Sequence, residues 1–256
     1  MTAFDFRFAK PTDQVAVQRM LAASGLPHED VASHLPHFIL ALHDHRPAGV
    51  VGLEVLGPFG LLRSLAVDPA HRGTGLGRRL CEHITAHARL QGIDTLYLLT
   101  TTAEGFFRKH GFHVADRAGV PEAVLATEEF RHLCPSTAVC MVRHLDRDAL
   151  YYPCAVLRLH EDVPGARMWG VALDKSMFTY FEVEPHSRFE RHAHESEQIT
   201  MVLEGTLYFE TDDQVIAVCA GEVIALPSNV PHAVFSKDDP VKAVDAWSPV
   251  MPRYQS

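Results

Sequence analysis

The pattern of apolar and polar positions changes character once along the chain. In the first 145 residues, short strand-like runs alternate with helical spacings. Phe4, Phe6 and Phe8 mark a first strand over 4–9, and Pro11-Thr12-Asp13 opens a helix carrying Val15, Val17, Met20 and Leu21. A short helix over 27–36 follows, then strands over 38–42 and 50–56 joined by a turn at 43–47, where His43 and His45 read as exposed loop residues. Gly57-Pro58-Phe59-Gly60 turns into a strand over 61–67. Leu76, Leu80, Ile84 and Ala88 give the next helix, 75–91, an apolar face. A strand over 96–99, a helix over 103–110, a strand over 112–114, a helix over 121–133 and a last strand over 138–142 complete the first part.

From about residue 167 the helical period disappears. MFTYFEVE, QITMVLEG, TLYFET, QVIAVCAG, EVIALP, AVFS and KAVDAW are short β-rich runs cut by Gly, Pro, Asn and Asp. That spacing predicts an antiparallel barrel or jelly roll. The halves share no repeat, so the chain reads as a fusion: a first domain over 1–146, a linker with the first barrel strand over 147–166, and a second domain over 167–256. A length of 256 residues accommodates both. The net charge of −9 and the lack of a long basic run argue against nucleic acid or an anionic membrane as partner. Neither a signal pattern nor a long apolar run is evident, and the five cysteines are scattered. A cytoplasmic protein with reduced thiols is expected.

The chemistry starts at LLRSLAVDPAHRGTGLGRRL, residues 61–80. A strand ends at Asp68-Pro69, and a glycine-rich loop over 72–77 enters a helix. Free backbone N–H groups and the helix dipole at such a start favour a diphosphate, and glycine lets it approach the backbone. Arg72-x-x-Gly75-x-Gly77, the preceding Leu65-Ala66-Val67-Asp68-Pro69 and the later Ala103-x-x-Phe106-Phe107-x-x-x-Gly111-Phe112 together resemble the acetyl-CoA-binding core of the GNAT N-acetyltransferases, over roughly residues 4–145. LYLLTTTAEGFFRKHGF with EEFRHLCPSTAVCM resembles the arsenic-resistance branch of that superfamily.

The resemblance implies acetyl transfer from acetyl-CoA to a small amine. Leu65, Ala66 and Val67 would pair with the pantetheine arm. Arg72, Gly73, Thr74, Gly75, Leu76, Gly77 and Arg78 would hold the diphosphate, and Thr100, Phe106 and Phe107 would complete the cofactor site. The Leu65 or Ala66 amide would polarise the thioester. Glu54 is the candidate base, or else a surface carboxylate. Arg63 is a candidate clamp for a substrate carboxylate or oxyanion, or else a surface strand residue. Phe107 stands where many GNAT enzymes carry a tyrosine that protonates the thiolate, and Thr100 where asparagine is common. An arsenite site on Cys134, Cys140 and Cys154 is a reading that only the branch resemblance suggests.

In the second domain His192, His194 and Gln198 share parity, which in a strand means one face, while Glu197 points away. With His232 they offer three imidazoles and an amide oxygen, a set that suits a divalent transition metal, with Zn, Fe, Mn and Ni all open. HAHESEQITMVLEG and GEVIALPSNVPHAVFS resemble the two motifs of the cupins, over roughly 155–250. Gly205, Gly221, Pro227 and His232 fit the pattern. His186 and Asn229 stand for glycines, Gln198 for a glutamate and Ser236 for an asparagine.

The fold expected is an α/β GNAT fold with a mixed central sheet, followed by an all-β cupin jelly-roll barrel. The function expected is an N-acetyltransferase acting on a small amine or amino-acid-like substrate, an arsenic or phosphorus toxin analogue included, with an accessory metal-binding cupin. The alternative is a non-catalytic acyl-CoA-responsive module attached to a working cupin. A homodimer is the assembly both folds commonly form.

Overall fold

The computed structural model describes residues 3–135, 137–145 and 149–254. It divides into two compact units between Val156 and Leu157. The division falls after residue 146 because Tyr152 and Val156 pack on the core of the first unit. Residues 147 and 148 lie outside the described residues.

The first unit is a seven-stranded sheet with helices. Its strands are β1 (Asp5–Phe8), β2 (Phe38–His43), β3 (Arg46–Leu56), β4 (Phe59–Val67), β5 (Thr95–Thr100), β6 (His113–Val114) and β7 (Val139–His144), in the order β1-β2-β3-β4-β5-β7-β6. Asp44 (φ 47) and His45 (φ 61) form the two-residue β2–β3 turn, and positive φ at both centres matches the twist of a hairpin. The helices are α1 (Gln14–Ala23), α2 (Val31–His34), α3 (Leu76–Leu90), α4 (Glu104–Arg108) and α5 (Glu122–Leu125). Leu76, Leu80 and Ile84 of α3 are buried in the core with Ile39, Val51 and Leu96.

Two irregularities shape the first unit. β4 pairs in parallel with β5 only at Phe59–Leu61 against Thr95–Tyr97, so the two strands part beyond Leu61. On its other side β4 bulges between Arg63 and Ala66, where Ser64 takes φ 59. Ser64 and Leu65 therefore have no register partner on β3 or β5. The helix expected over 121–133 is broken. After α5 the Thr127 hydroxyl donates to the Val124 carbonyl (2.8 Å), competing with the helical ladder. A π-helical turn, Glu129–Leu133, follows and buries Glu129.

The second unit consists of two antiparallel sheets, as a jelly roll requires. One has the order β15-β12-β17-β10-β9-β8 and the other β11-β16-β13-β14. The strands are β8 (His160–Val163), β9 (Ala166–Ala172), β10 (Met177–Val183), β11 (Arg188–His192), β12 (Glu197–Glu204), β13 (Thr206–Glu210), β14 (Val215–Cys219), β15 (Val223–Leu226), β16 (His232–Phe235) and β17 (Val241–Ser248). Phe181, Val202, Phe209, Val234 and Ala243 fill the interior. His186 (φ 60) and Asn229 (φ 61) adopt the left-handed conformation that a glycine would take at those turns. Gly205 is irreplaceable in its place, since a Cβ there would lie 2.4 Å from the Pro240 carbonyl oxygen.

Candidate active site and metal centre

Where β4 and β5 part, the first unit opens a cleft with about 1520 Å³ of empty space, room for an elongated ligand. Leu65, Ala66, Val67, Arg72, Gly77, Thr100, Phe106 and Phe107 line it. Leu65, like Ser64, lies outside both strand registers at the cleft. Arg72 Nε donates to the Val67 carbonyl (3.3 Å), which ties the loop to the end of β4. Gly73 (φ 77) and Gly75 (φ 83), the N-cap of α3, hold left-handed conformations with open space where a Cβ would sit. Thr74 donates to the His71 carbonyl.

Leu76 and Arg78 are placed differently from the expected cofactor contacts, and Thr100 lines the cleft while its hydroxyl is engaged by its own chain. The Leu76 side chain belongs to the core, so only its backbone faces a ligand at the helix start. Arg78 is exposed and reaches Glu82 of its own helix at 3.6 Å. The Thr100 hydroxyl accepts the Ala103 N–H (3.0 Å) and so orders the start of α4. Phe107 is buried and packs on Phe112, with no proton to give.

The polar end of the cleft departs most from expectation. Arg63 lines it, but its side chain is fully buried and committed to its own chain. Two of its nitrogens donate to Asp30, at 2.6 and 2.7 Å. Glu54 lies 3.5 Å from Nη1, and Glu129 3.3 Å from Nε, an ion pair that leaves Nε without an aligned hydrogen bond. Burial opposes its charge, yet Glu129, Asp30 and Glu54 outweigh that and hold its pKa above the ordinary value. A guanidinium facing three carboxylates does not serve as a substrate-carboxylate clamp. Glu54 belongs to the same charged cluster. Its carboxylate is near Arg63 and His34 (3.9 Å) and does not line the cleft.

Glu129 does line it. Burial, with Asp30 and Glu54 adding to it, pushes its carboxyl up to about 7 against the pull of Arg63. Asp30 belongs to no motif read from the sequence, and Glu129 was given no role in the run that contains it. The only signal was the run EEFRHLCPSTAVCM, which carried the branch resemblance. The cysteine trio is not assembled. Among the described residues the one group of three His, Cys, Asp or Glu with converging ligand atoms is His192, His194 and His232. Burial raises the thiol of Cys134 to about 11, and that of Cys140 upward, which opposes the thiolate that arsenite needs.

In the second unit the three histidines converge, their ligand nitrogens within 4.8 Å of one another. Each Nδ1 lies against a backbone carbonyl: His192 on Glu190 (2.7 Å), His194 on Ser196 (2.6 Å) and His232 on Val230 (2.8 Å). A carbonyl only accepts, so each Nδ1 carries the proton and each Nε2 presents a lone pair. His232 Nε2 is buried without a partner, and burial lowers that ring's pKa. His194 Nε2 lies 3.2 Å from Gln198 Oε1, so two lone-pair atoms face each other. An orphaned nitrogen and an acceptor–acceptor contact fit a cation. Along β12 Gln198 is buried and Glu197 exposed. Behind them Gln198 Nε2 donates to Thr200 (2.9 Å), whose hydroxyl donates to the buried Asp245 (2.5 Å). Burial pushes Asp245 up to about 7. Phe181, Phe189, Leu207, Phe209 and Trp247 make the rest of the cavity apolar.

These features are those of a GNAT fold followed by a cupin fold. Residues 34–114 match the family model of the acetyltransferase (GNAT) domain, and residues 179–247 that of the cupin domain. The chain is 36% identical over 94 residues to an amino-acid acetyltransferase of Ralstonia nicotianae, covering 34% of this chain and 20% of the relative. It is 42% identical over 64 residues to that of Pseudomonas fluorescens, covering 25% and 15%. The structure matches N-acetylglutamate synthase from Neisseria gonorrhoeae, solved with coenzyme A and N-acetyl-glutamate, with a TM-score of 0.50 and 25% identity, over 57% of this chain and 36% of that one. The chain thus spans about a fifth or less of the length of these curated relatives. They are named for amino-acid acetylation, not for arsenic resistance. No described helix is long and apolar enough to cross a membrane.

Proposed function

We propose that the first unit transfers an acetyl group from acetyl-CoA to the amine of a small, amino-acid-like substrate. The observation that carries this is the cleft where β4 and β5 part, continuous with the glycine loop at the N-terminus of α3. The loop amides and Arg72 would hold the diphosphate, the free edge of β4 the pantetheine arm, and the Leu65 amide the thioester oxygen. The names of the relatives support an amino acid as acceptor. Arsenic- or phosphorus-bearing amino acids belong to the same chemical class, and the EEFRHLCPSTAVCM resemblance is their support. The second unit would hold a divalent transition metal on His192, His194 and His232, with Gln198 as oxygen donor. When bound, such a metal on neutral ligands supplies an uncompensated Lewis-acid charge that attracts anions.

Release of free thiol from acetyl-CoA, measured across a panel of amino acids and their arsenic and phosphorus analogues, tests the reading. Amine-dependent release with formation of the acetylated product is expected. Saturable acetyl-CoA binding without release for any amine would overturn it, in favour of an acyl-CoA-responsive module whose working part is the cupin.

A further inference from the structure

We infer that Glu129 is the catalytic base of the acetyl transfer, and that the cleft therefore takes its acceptor as an ammonium docked on this carboxylate. The inference rests on the proposed acetyltransferase activity. Three observations lead to it. Glu129 is the one carboxylate among the lining residues of the cleft, whose other charged members are Arg63 and Arg72. Only 4% of its surface is exposed, so it meets a ligand inside the cleft and little bulk water. Its ion pair with Arg63 Nε, at 3.3 Å, fixes the carboxylate without an aligned hydrogen bond, which leaves its lone pairs available.

The surrounding charges suit the task. Arg63 stands against Asp30 and Glu54 as well as Glu129, so the polar end of the cleft carries surplus negative charge. Such a site attracts a cationic amine and disfavours one that arrives with its anionic end first. A carboxyl raised to about 7 accepts a proton at neutral pH and returns it to water easily. Arg63 is then a positioning residue. Ser64 adds a second polar group beside it, since its buried hydroxyl has no protein partner and the residue lines the same cleft.

The step balances. Glu129 takes one proton from the substrate ammonium. The freed nitrogen lone pair bonds to the thioester carbonyl carbon, whose oxygen gains charge against the Leu65 amide. Collapse breaks the carbon–sulfur bond, and its electron pair leaves on sulfur. The second proton on nitrogen passes to that thiolate, so Phe107 need supply none. Glu129 then gives its proton to water.

The test is steady-state kinetics from pH 5.5 to 9 on the full chain, with the best acceptor found in the thiol-release assay. Wild-type kcat should rise with pH through a limb near the Glu129 pKa. Glu129→Gln should bind acetyl-CoA within about threefold of wild type, lose about 10²–10⁴-fold in kcat and lack the limb. Glu129→Asp should retain the limb at a reduced rate, and serves if the glutamine variant does not fold. Glu54→Gln should keep the limb. A Glu129→Gln enzyme with kcat within threefold of wild type, or an Asp variant without the limb, overturns the assignment and leaves the acetyltransferase reading standing. A wild-type enzyme inactive toward every amine overturns both.

Discussion

The burial of Glu129 makes a prediction about stability that does not depend on activity. Its folded pKa of about 7 stands above the ordinary 4.5, with burial as the main cause. Between those values the folded chain holds a proton that the unfolded chain has released. Stability therefore falls as pH rises through this window, and the loss is complete above 7. A shift of this size is worth roughly 3 kcal/mol. Glutamine does not titrate, so Glu129→Gln should match or trail wild type at pH 5 and gain on it steadily up to pH 8. For a unit of this size the gain amounts to about 6–12 °C in Tm. Scanning calorimetry of the full chain at pH 5, 6, 7 and 8 measures it, with added acetyl-CoA marking the transition of the first unit. A Tm difference that stays flat from pH 5 to 8 would refute the reasoning. It would mean that Arg63 neutralises Glu129 as fully as water does.

Two further predictions concern the ligand sites. Gly75→Glu forces a side chain into a left-handed N-cap, at a cost of about 1–2 kcal/mol, and sets a carboxylate where the diphosphate would lie. Acetyl-CoA affinity measured by calorimetry should fall at least about 100-fold, and retained affinity removes the loop from the cofactor site. In the cupin, His232→Ala should leave less than about a tenth of the wild-type metal after chelator-free purification, as read by elemental analysis, because three ligands must converge for tight binding. Glu197→Ala should keep its metal. Equal losses in Glu197→Ala and Gln198→Ala would show that Gln198 is not the inward oxygen donor.

The elements that repeat a period were legible in the sequence. The α3 face at Leu76, Leu80 and Ile84 was read from four-residue spacing, and the β12 alternation gave Gln198 inward and Glu197 outward. The glycine loop and the His192/His194 pair were legible for another reason: each is local, so its residues sit near one another in both sequence and space, whereas His232, on β16, was reached through the resemblance of a separate motif. The charged cluster was not. Asp30, Glu54, Arg63 and Glu129 come from α2's entry, two strands and the π-helical turn, and they meet only because the sheet and its flanking helices bring them together. Periodicity also smoothed the 121–133 segment into one helix. The helix is interrupted near Thr127, whose hydroxyl bonds the Val124 carbonyl, and Glu129 is buried in the π-helical turn that follows.

Arg63 shows why a residue's type does not fix its role. On a half-exposed strand, an arginine two residues before Leu65 would be free to bind an anion. Here the bidentate bond to Asp30 is made inside the protein, so the desolvation of the guanidinium is offset by the chain's own carboxylates. Three carboxylates around one cation is more negative charge than neutrality requires. The excess is relieved where burial is deepest, at Glu129, by protonation near neutral pH. The same imbalance that looks like a structural cost in the empty cleft becomes useful when an ammonium enters, because the incoming cation offsets part of the excess and delivers the proton that an ionised Glu129 takes. Charge matching thus joins the stability of this end of the cleft to the chemistry proposed for it, and a single substitution, Glu129→Gln, is expected to move the two in opposite directions.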